Sequence, residues 1–343
     1  MTQKVLLGTY TKRDSKGVYS IELDQEKKQL GEIKLVAEVG NPTYIDISND
    51  GQSLYTVMKG NGQGGIVSFK KNDDDTFKEA SINASEGSSP CYVAYDESRQ
   101  FVYTANYHDG EVAVYKTDEA GHLELTDMIK HTGKSVHENQ QSAHAHYFDL
   151  TPDNKYLIAC DLGTDEVITY QVNDEGKLSE VDVISVAPGT GPRHIVFHPN
   201  GKLAYVFGEL SSDILAYTYD EKSGTLSHIQ TISSIPDDHT DFNGGAAIRI
   251  SDDGRFVYAS NRGHDSIVVF AVQEDGTLEL VEYVPTEGEI PRDFNIDPTN
   301  QFVVVGHQDS DNLTLFERNA KTGKLTLLQK DVYAPEVVCV TFA

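Results

Sequence analysis

The chain has no tryptophan, three cysteines in 343 residues and about one basic residue for every two acidic ones. Each scarcity removes a class of answer. Cys91, Cys160 and Cys339 cannot staple a chain of this length, so apolar burial has to hold the core, and free thiols suit a reducing cytoplasm. Lys and Arg number 28 against 54 Asp and Glu, a formal net charge of −26. Such a chain repels phosphate backbones and anionic lipid, which argues against nucleic acid or membrane as partners. No stretch approaches the roughly 18 apolar residues of a membrane helix. The opening MTQKVLLGTY has no apolar core of the kind found in secretory leaders. A soluble cytoplasmic protein is the expectation. Without tryptophan, and without paired glycines at fixed spacing, the WD-type and kelch repeats are excluded as well.

What the chain does have is a repeat. PTYIDISNDGQSLYTV (42–57), PCYVAYDESRQFVYTA (90–105), AHYFDLTPDNKYLIAC (145–160), PRHIVFHPNGKLAYVF (192–207), AAIRISDDGRFVYAS (246–260) and PRDFNIDPTNQFVVVG (291–306) share one plan. An apolar run, a turn of Asp, Asn, Gly or Pro, and a second apolar run make a hairpin. A third alternating run follows each, such as EVAVYKT or SIVVFAV, and a fourth usually follows a G-x-L punctuation, as in GHLELTDMI and GTLELVEYV. Four strands per unit at a period of about 44–55 residues predict propeller blades. Six units are complete. PEVVCVTF at the C-terminus, with KVLLGTY, GVYSIEL and GEIKLVAEV at the N-terminus, supplies a seventh that would close the ring and remove its open edges. The prediction is all-β: one seven-bladed propeller domain over 1–343, four antiparallel strands per blade, closed by a blade shared between the termini.

Alignment of the repeats turns sequence into geometry. First strands of a propeller are innermost and start at one mouth of the central channel, so Thr43, Cys91, His146, Arg193, Ala246, Arg292 and Glu336 form one predicted circle. The ends of the second strands form a neighbouring circle of Lys59, Tyr107, Leu162, Glu209, Arg262, Gln308 and Tyr10. Arginine and glutamate are costly to bury without partners. Their gathering at one mouth of so acidic a chain therefore marks a pocket for an anion. His146, Arg193, Glu209 and Arg262 are the candidate catalytic residues. Arg292, His144, Tyr107, Gln308 and His194 are candidate substrate-binding residues. His131, His137 and His239, on the two longest inter-blade loops, read as solvated.

The motifs also carry a resemblance. YTANYHDGEVAVY (103–115), HAHYFDLTPD (144–153), GPRHIVFHPNG (191–201), GEL (208–210), SNRGHDSIVVF (260–270) and PRDFNIDPT (291–299) resemble, in the same order, the lactonase family of seven-bladed propellers. Its branches include propeller-type 6-phosphogluconolactonases and carboxy-cis,cis-muconate cyclases. In the cyclase branch the proposed site is a histidine, two arginines and a glutamate. The resemblance carries these onto Arg193 in GPRH, Glu209 in GEL, Arg262 in SNR and one histidine of HAH, with the ring alignment favouring His146 over His144.

Lactone hydrolysis needs a base for water, stabilisation of the tetrahedral oxyanion and a grip on the rest of the substrate. Glu209 or His146 can serve as base, Arg193 and Arg262 can face the oxyanion, and Arg292 can fork onto a phosphate. No GxSxG motif and no cysteine beside a positioned histidine offers a nucleophile, and Cys91 reads as a packing residue. His144 and His146, even with His194, His198 and His264 in other repeats, give no third metal ligand by spacing, so no metal or other cofactor is assigned. The expected partner is a small anionic lactone, 6-phosphogluconolactone first, met by a monomer or weak homo-oligomer. A lactonising cycloisomerase is the alternative enzyme, and a non-catalytic propeller scaffold the alternative from another class.

Overall fold

A computed structural model describes residues 2–343, and every regular element among them is a β-strand. The strands form seven antiparallel sheets. Blade 1 begins at Ile45 and ends at Glu86, blade 2 runs Tyr92–Lys130, blade 3 Ala145–Ser185, blade 4 Pro192–Ser233, blade 5 Gly244–Pro285 and blade 6 Asp293–Tyr333. Blade 7 takes its innermost strand, Val337–Phe342, from the C-terminus. Thr2–Thr9, Gly17–Asp24 and Lys34–Glu38 complete it, with the short Gln29–Leu30 alongside. The closing register pairs Val5 with Phe342, Leu7 with Val340 and Gly8 with Cys339.

Burial changes outward along each blade, and the sequence pattern changes with it. Phe101–Asn106, a second strand, is buried at every position because other blades cover both its faces. Leu123–Lys130, the outermost strand of the same blade, has half its residues exposed. The G-x-L punctuation has a structural use. The carbonyls of Gly121, Gly176, Gly224, Gly276 and Gly323 each accept a hydrogen bond from the preceding blade, donated by Ser68, Thr126, Thr169, Tyr205 and Tyr258 respectively. Gly276 illustrates why glycine is needed. Its φ is +86°, and a Cβ there would lie 2.5 Å from Leu203. Blades 2 to 6 therefore each dock on the preceding blade through one backbone carbonyl.

Candidate active site

The inner strands start irregularly, and the irregularity builds the site. In blade 3 Ala145 pairs with Asp161 and Tyr147 with Cys160, leaving His146 as the extra residue of a bulge. Blade 4 repeats this: Pro192 pairs with Gly208 and His194 with Phe207, leaving Arg193 unpaired. In blade 7 the step from Cys339 to Val337 leaves out Val338. A bulge breaks the strict alternation of side chains and re-aims one of them. Here it turns His146, Arg193 and Val338 into a cavity of about 560 Å³ at the channel mouth. Glu209 follows the second strand of blade 4 and Arg262 ends that of blade 5, and both line the same cavity with Cys91, Tyr107 and Arg292.

Glu209 is the hub. Its Oε2 lies 2.9 Å from Arg262 Nη2 and 3.0 Å from Arg193 Nε, the second contact being an ion pair without hydrogen-bond alignment. Its Oε1 has no partner among the described residues and is open to the cavity. Burial raises the Glu209 pKa, but Arg262, Arg193 and Arg292 outweigh it and hold the carboxylate below its usual range. Arg193 is buried, with Nη1 donating to the Ala246 carbonyl at 2.7 Å. Burial and the neighbouring Arg262 push its pKa down to about 9, which leaves it charged at neutral pH. Arg262 donates to the Gly245 carbonyl at 2.8 Å. Arg292 has the loosest tether, 3.4 Å to Gln308 Oε1, and lies 5.8 Å from the centre of the Tyr10 ring. His146 is buried, and burial together with Arg193, Arg292 and Arg262 keeps its pKa well below 6.5. It is therefore a neutral imidazole, and its Nδ1 is buried without a partner. Burial pushes the Cys91 thiol up to about 12, so it is a poor nucleophile.

Three of the predicted substrate-binding residues do not reach this cavity. His194 is paired in the ladder next to the bulged Arg193 and lines a second cavity, of about 260 Å³, further down the channel. His144 precedes the strand and stacks on Tyr107 with ring centres 4.3 Å apart, its Nδ1 2.6 Å from the Tyr107 carbonyl, so it supports the wall from behind. Gln308 lies beyond its strand and meets Arg292 from the side. Glu336 also leaves its predicted circle, because the bulge gives that place to Val338. Its carboxylate instead accepts hydrogen bonds from the backbone of Lys12, Arg13 and Ser15. His131 is not solvated. It is buried between Asp161, at 2.7 Å, and the Tyr170 hydroxyl, at 2.9 Å. The repeat alignment missed Lys12 and left Lys59 and Tyr10 unselected, although all three line the cavity. Tyr10 and Lys59 stood on the predicted second circle, and Lys12 is two residues beyond it. Among the described residues no group of three His, Cys, Asp or Glu is placed to hold a metal ion.

Residues 4–342 match the family model described as lactonase, 7-bladed β-propeller. The chain belongs to the seven-bladed propeller lactonases. It is a lactone-opening hydrolase by family. A 6-phosphogluconolactonase of Bacillus subtilis (strain 168) is 48% identical over 341 residues, covering 98% of this chain and 97% of the relative. Among solved structures, a protein from Lactobacillus plantarum superposes with a TM-score of 0.98 at 46% identity, covering both chains completely. A periplasmic gluconolactonase of Pseudomonas aeruginosa does so with a TM-score of 0.94 at 30% identity, covering 100% of this lactonase and 99% of that chain.

The second cavity of this lactonase makes a prediction about stability. Its wall includes Asp46 and Asp149, whose pKa values burial pushes up to about 7 and about 6. A carboxyl raised in the folded state binds its proton more tightly there than in the unfolded chain. Stability therefore rises as pH falls through the folded value toward the ordinary one near 3.8. Melting temperature should be higher at pH 5 than at pH 8, and Asp46→Asn, neutral throughout, should shrink that difference. An equal difference in the variant, by differential scanning fluorimetry, would show that Asp46 does not contribute.

Proposed function

We propose that the protein hydrolyses 6-phosphogluconolactone to 6-phosphogluconate, in the cytoplasm, a compartment its three free cysteines suit. The observation that carries this reading is the charge of the cavity. Lys12, Lys59, Arg193, Arg262 and Arg292 face it against one carboxylate, Glu209, in a chain whose net charge is −26. Such a reversal of sign is worth building for a substrate that brings several negative charges. The 6-phosphogluconolactonase name of the Bacillus subtilis relative supports the same substrate.

In the proposed reaction, water lies against Glu209 Oε1, which removes its proton as the oxygen attacks the lactone carbonyl. Arg193 and Arg262 face the tetrahedral oxyanion, each with a terminal nitrogen that no protein acceptor occupies. The ring C–O bond then breaks, and the proton held on Glu209 passes to the departing ring oxygen, giving a hydroxy acid. His146 remains neutral and offers a hydrogen bond to the ring oxygen. The test is a panel of fresh lactones followed by acid release at constant pH. The phosphorylated lactone should exceed gluconolactone in kcat/KM by well over tenfold, since two charge-assisted contacts are worth roughly 1.5–3 kcal/mol each. Equal rates on the two would remove the phosphorylated substrate from the proposal.

A further inference from the structure

The cavity has two walls built from different parts of the ring. Arg193 and Glu209 come from blade 4, with His146 and Arg262 from blades 3 and 5 on either side. Lys59 is the last residue but one of the second strand of blade 1, Ser53–Gly60, and Tyr10 and Lys12 follow the corresponding strand of blade 7. Blade 4 stands three blades from both blade 7 and blade 1, the largest separation a ring of seven permits. The two lysines therefore face the Glu209 cluster across the mouth. Arg292, from blade 6, lies between the walls.

The lysine wall is a constructed feature. Thr11 and Asn41 exchange hydrogen bonds, Thr11 N to Asn41 Oδ1 at 3.2 Å and Asn41 N to Thr11 Oγ1 at 3.1 Å. Lys59 N donates to the Gly40 carbonyl at 2.8 Å, an approach so close that a Cβ on Gly40 would lie 2.3 Å from the Lys59 carbonyl oxygen. These contacts fasten blade 7 to blade 1 at the mouth. The buried Glu336 carboxylate holds the loop of Lys12 through the backbone N–H groups of Lys12, at 3.0 Å, and Arg13, at 2.9 Å. Pairing then divides neighbouring residues. Arg13 is matched to Asp311 at 2.7 Å and to Glu336 at 4.0 Å, whereas Lys12 and Lys59 have no carboxylate partner among the described residues. Lys12 Nζ rests instead 3.9 Å above the centre of the Tyr10 ring. In a chain with about two acids for every base, two cations left without acids on neighbouring blades of one cavity are a site for an anion brought from outside.

The geometry points to a phosphate subsite formed by Lys12 and Lys59 on blades 7 and 1, opposite the hydrolytic wall. This rests on the proposed lactonase reading and adds how that substrate lies: its phosphate against the lysines, its carbonyl across the cavity at Glu209, Arg193 and Arg262. It assigns the phosphate to the lysines rather than to Arg292, which is left to the sugar between the walls.

The test uses the full chain and does not depend on turnover. Calorimetric titration with 6-phosphogluconate and with gluconate gives the affinity gap due to the phosphate. In the native protein that gap should be at least about tenfold and should narrow with added salt. In the Lys12→Ala, Lys59→Ala double variant it should close, and in Lys12→Arg, Lys59→Arg it should reopen. Both lysines are exposed, so the substitutions leave the core intact. A gap that persists in the alanine variant, that is absent from the native protein, or that Arg292→Ala alone removes, would overturn the assignment. If the gap behaves as expected while no lactone is opened, the subsite stands and the hydrolytic reading falls. If lactones are opened with no phosphate preference in binding or rate, the subsite falls and hydrolysis stands.

Discussion

Glu209→Gln should lower kcat by roughly 10²–10⁴-fold, the range for loss of a general base, with KM for the phosphorylated lactone changing far less. The substitution keeps the shape of the side chain and its capacity to hydrogen-bond, but removes the acceptor for the proton of water. It also removes the one carboxylate that offsets Arg193 and Arg262. The buried Arg193 guanidinium is then left without its counter-charge, so the variant should also melt earlier. Rates therefore have to be compared per folded molecule. Loss of activity only in proportion to the folded fraction would make Glu209 a structural residue.

The pH profile adds a second reading on the same residue. Glu209 is held below the usual carboxylate range, so its ionised form persists as pH falls through the ordinary value of 4.5. On unphosphorylated gluconolactone, whose own charge does not change in this range, the native enzyme's kcat/KM should then be level between pH 5 and pH 8, whereas on the phosphorylated lactone the second phosphate ionisation near pH 6 adds a step of its own. His146, held neutral throughout, adds no step near 6.5. A near-normal kcat in Glu209→Gln, with His146→Ala inactive, would move the base to the histidine. Arg193→Lys keeps the charge and loses the planar fork. An oxyanion role predicts a kcat loss of roughly 10²–10³ for it, whereas a role in gripping the substrate predicts a raised KM.

Deleting residues 336–343 should abolish cooperative unfolding altogether. The deletion removes Val337–Phe342, the innermost strand of blade 7, and exposes the edge of Thr2–Thr9. Val337, Val338, Cys339 and Val340 are all buried, and burying a side chain of this size is worth roughly 1.5–3 kcal/mol. Four such losses, before the broken ladder is considered, compare with the whole net stability of about 5–15 kcal/mol of an ordinary domain. An anchor between blades 6 and 7 goes as well, since the Asp293 carboxylate loses the Val340 N–H it accepts at 2.8 Å, and within blade 7 the Lys12 loop loses Glu336. A truncated chain that melts in one transition at the native temperature, by circular dichroism, would show that the ring does not depend on this closure.

The sequence by itself determined the architecture. Hairpin turns, the period-two alternation of outer strands and the G-x-L punctuation are local signals. Six repetitions of them, plus matching fragments at the two ends, leave few arrangements besides a ring of seven. It also determined which positions crowd the mouth, since equivalent places in successive blades converge on one axis. The tertiary structure decided which of those side chains enter the cavity, because that turns on bulges with no fixed residue signature. A bulge frees Arg193 into the site while the adjacent His194, still in the ladder, faces the cavity below. Another puts Val338 where the repeat alignment places Glu336, and the displaced carboxylate orders the loop of Lys12 instead. Charge pairing was equally hidden. Nothing in TYTKRD distinguishes Lys12 from Arg13 until Asp311 and Glu336, about 300 residues further along the chain, take one as a partner and leave the other to the pocket. Local periodicity fixes a strand's existence, but the direction of a side chain and the company of a charge are set by residues that only ring closure brings near.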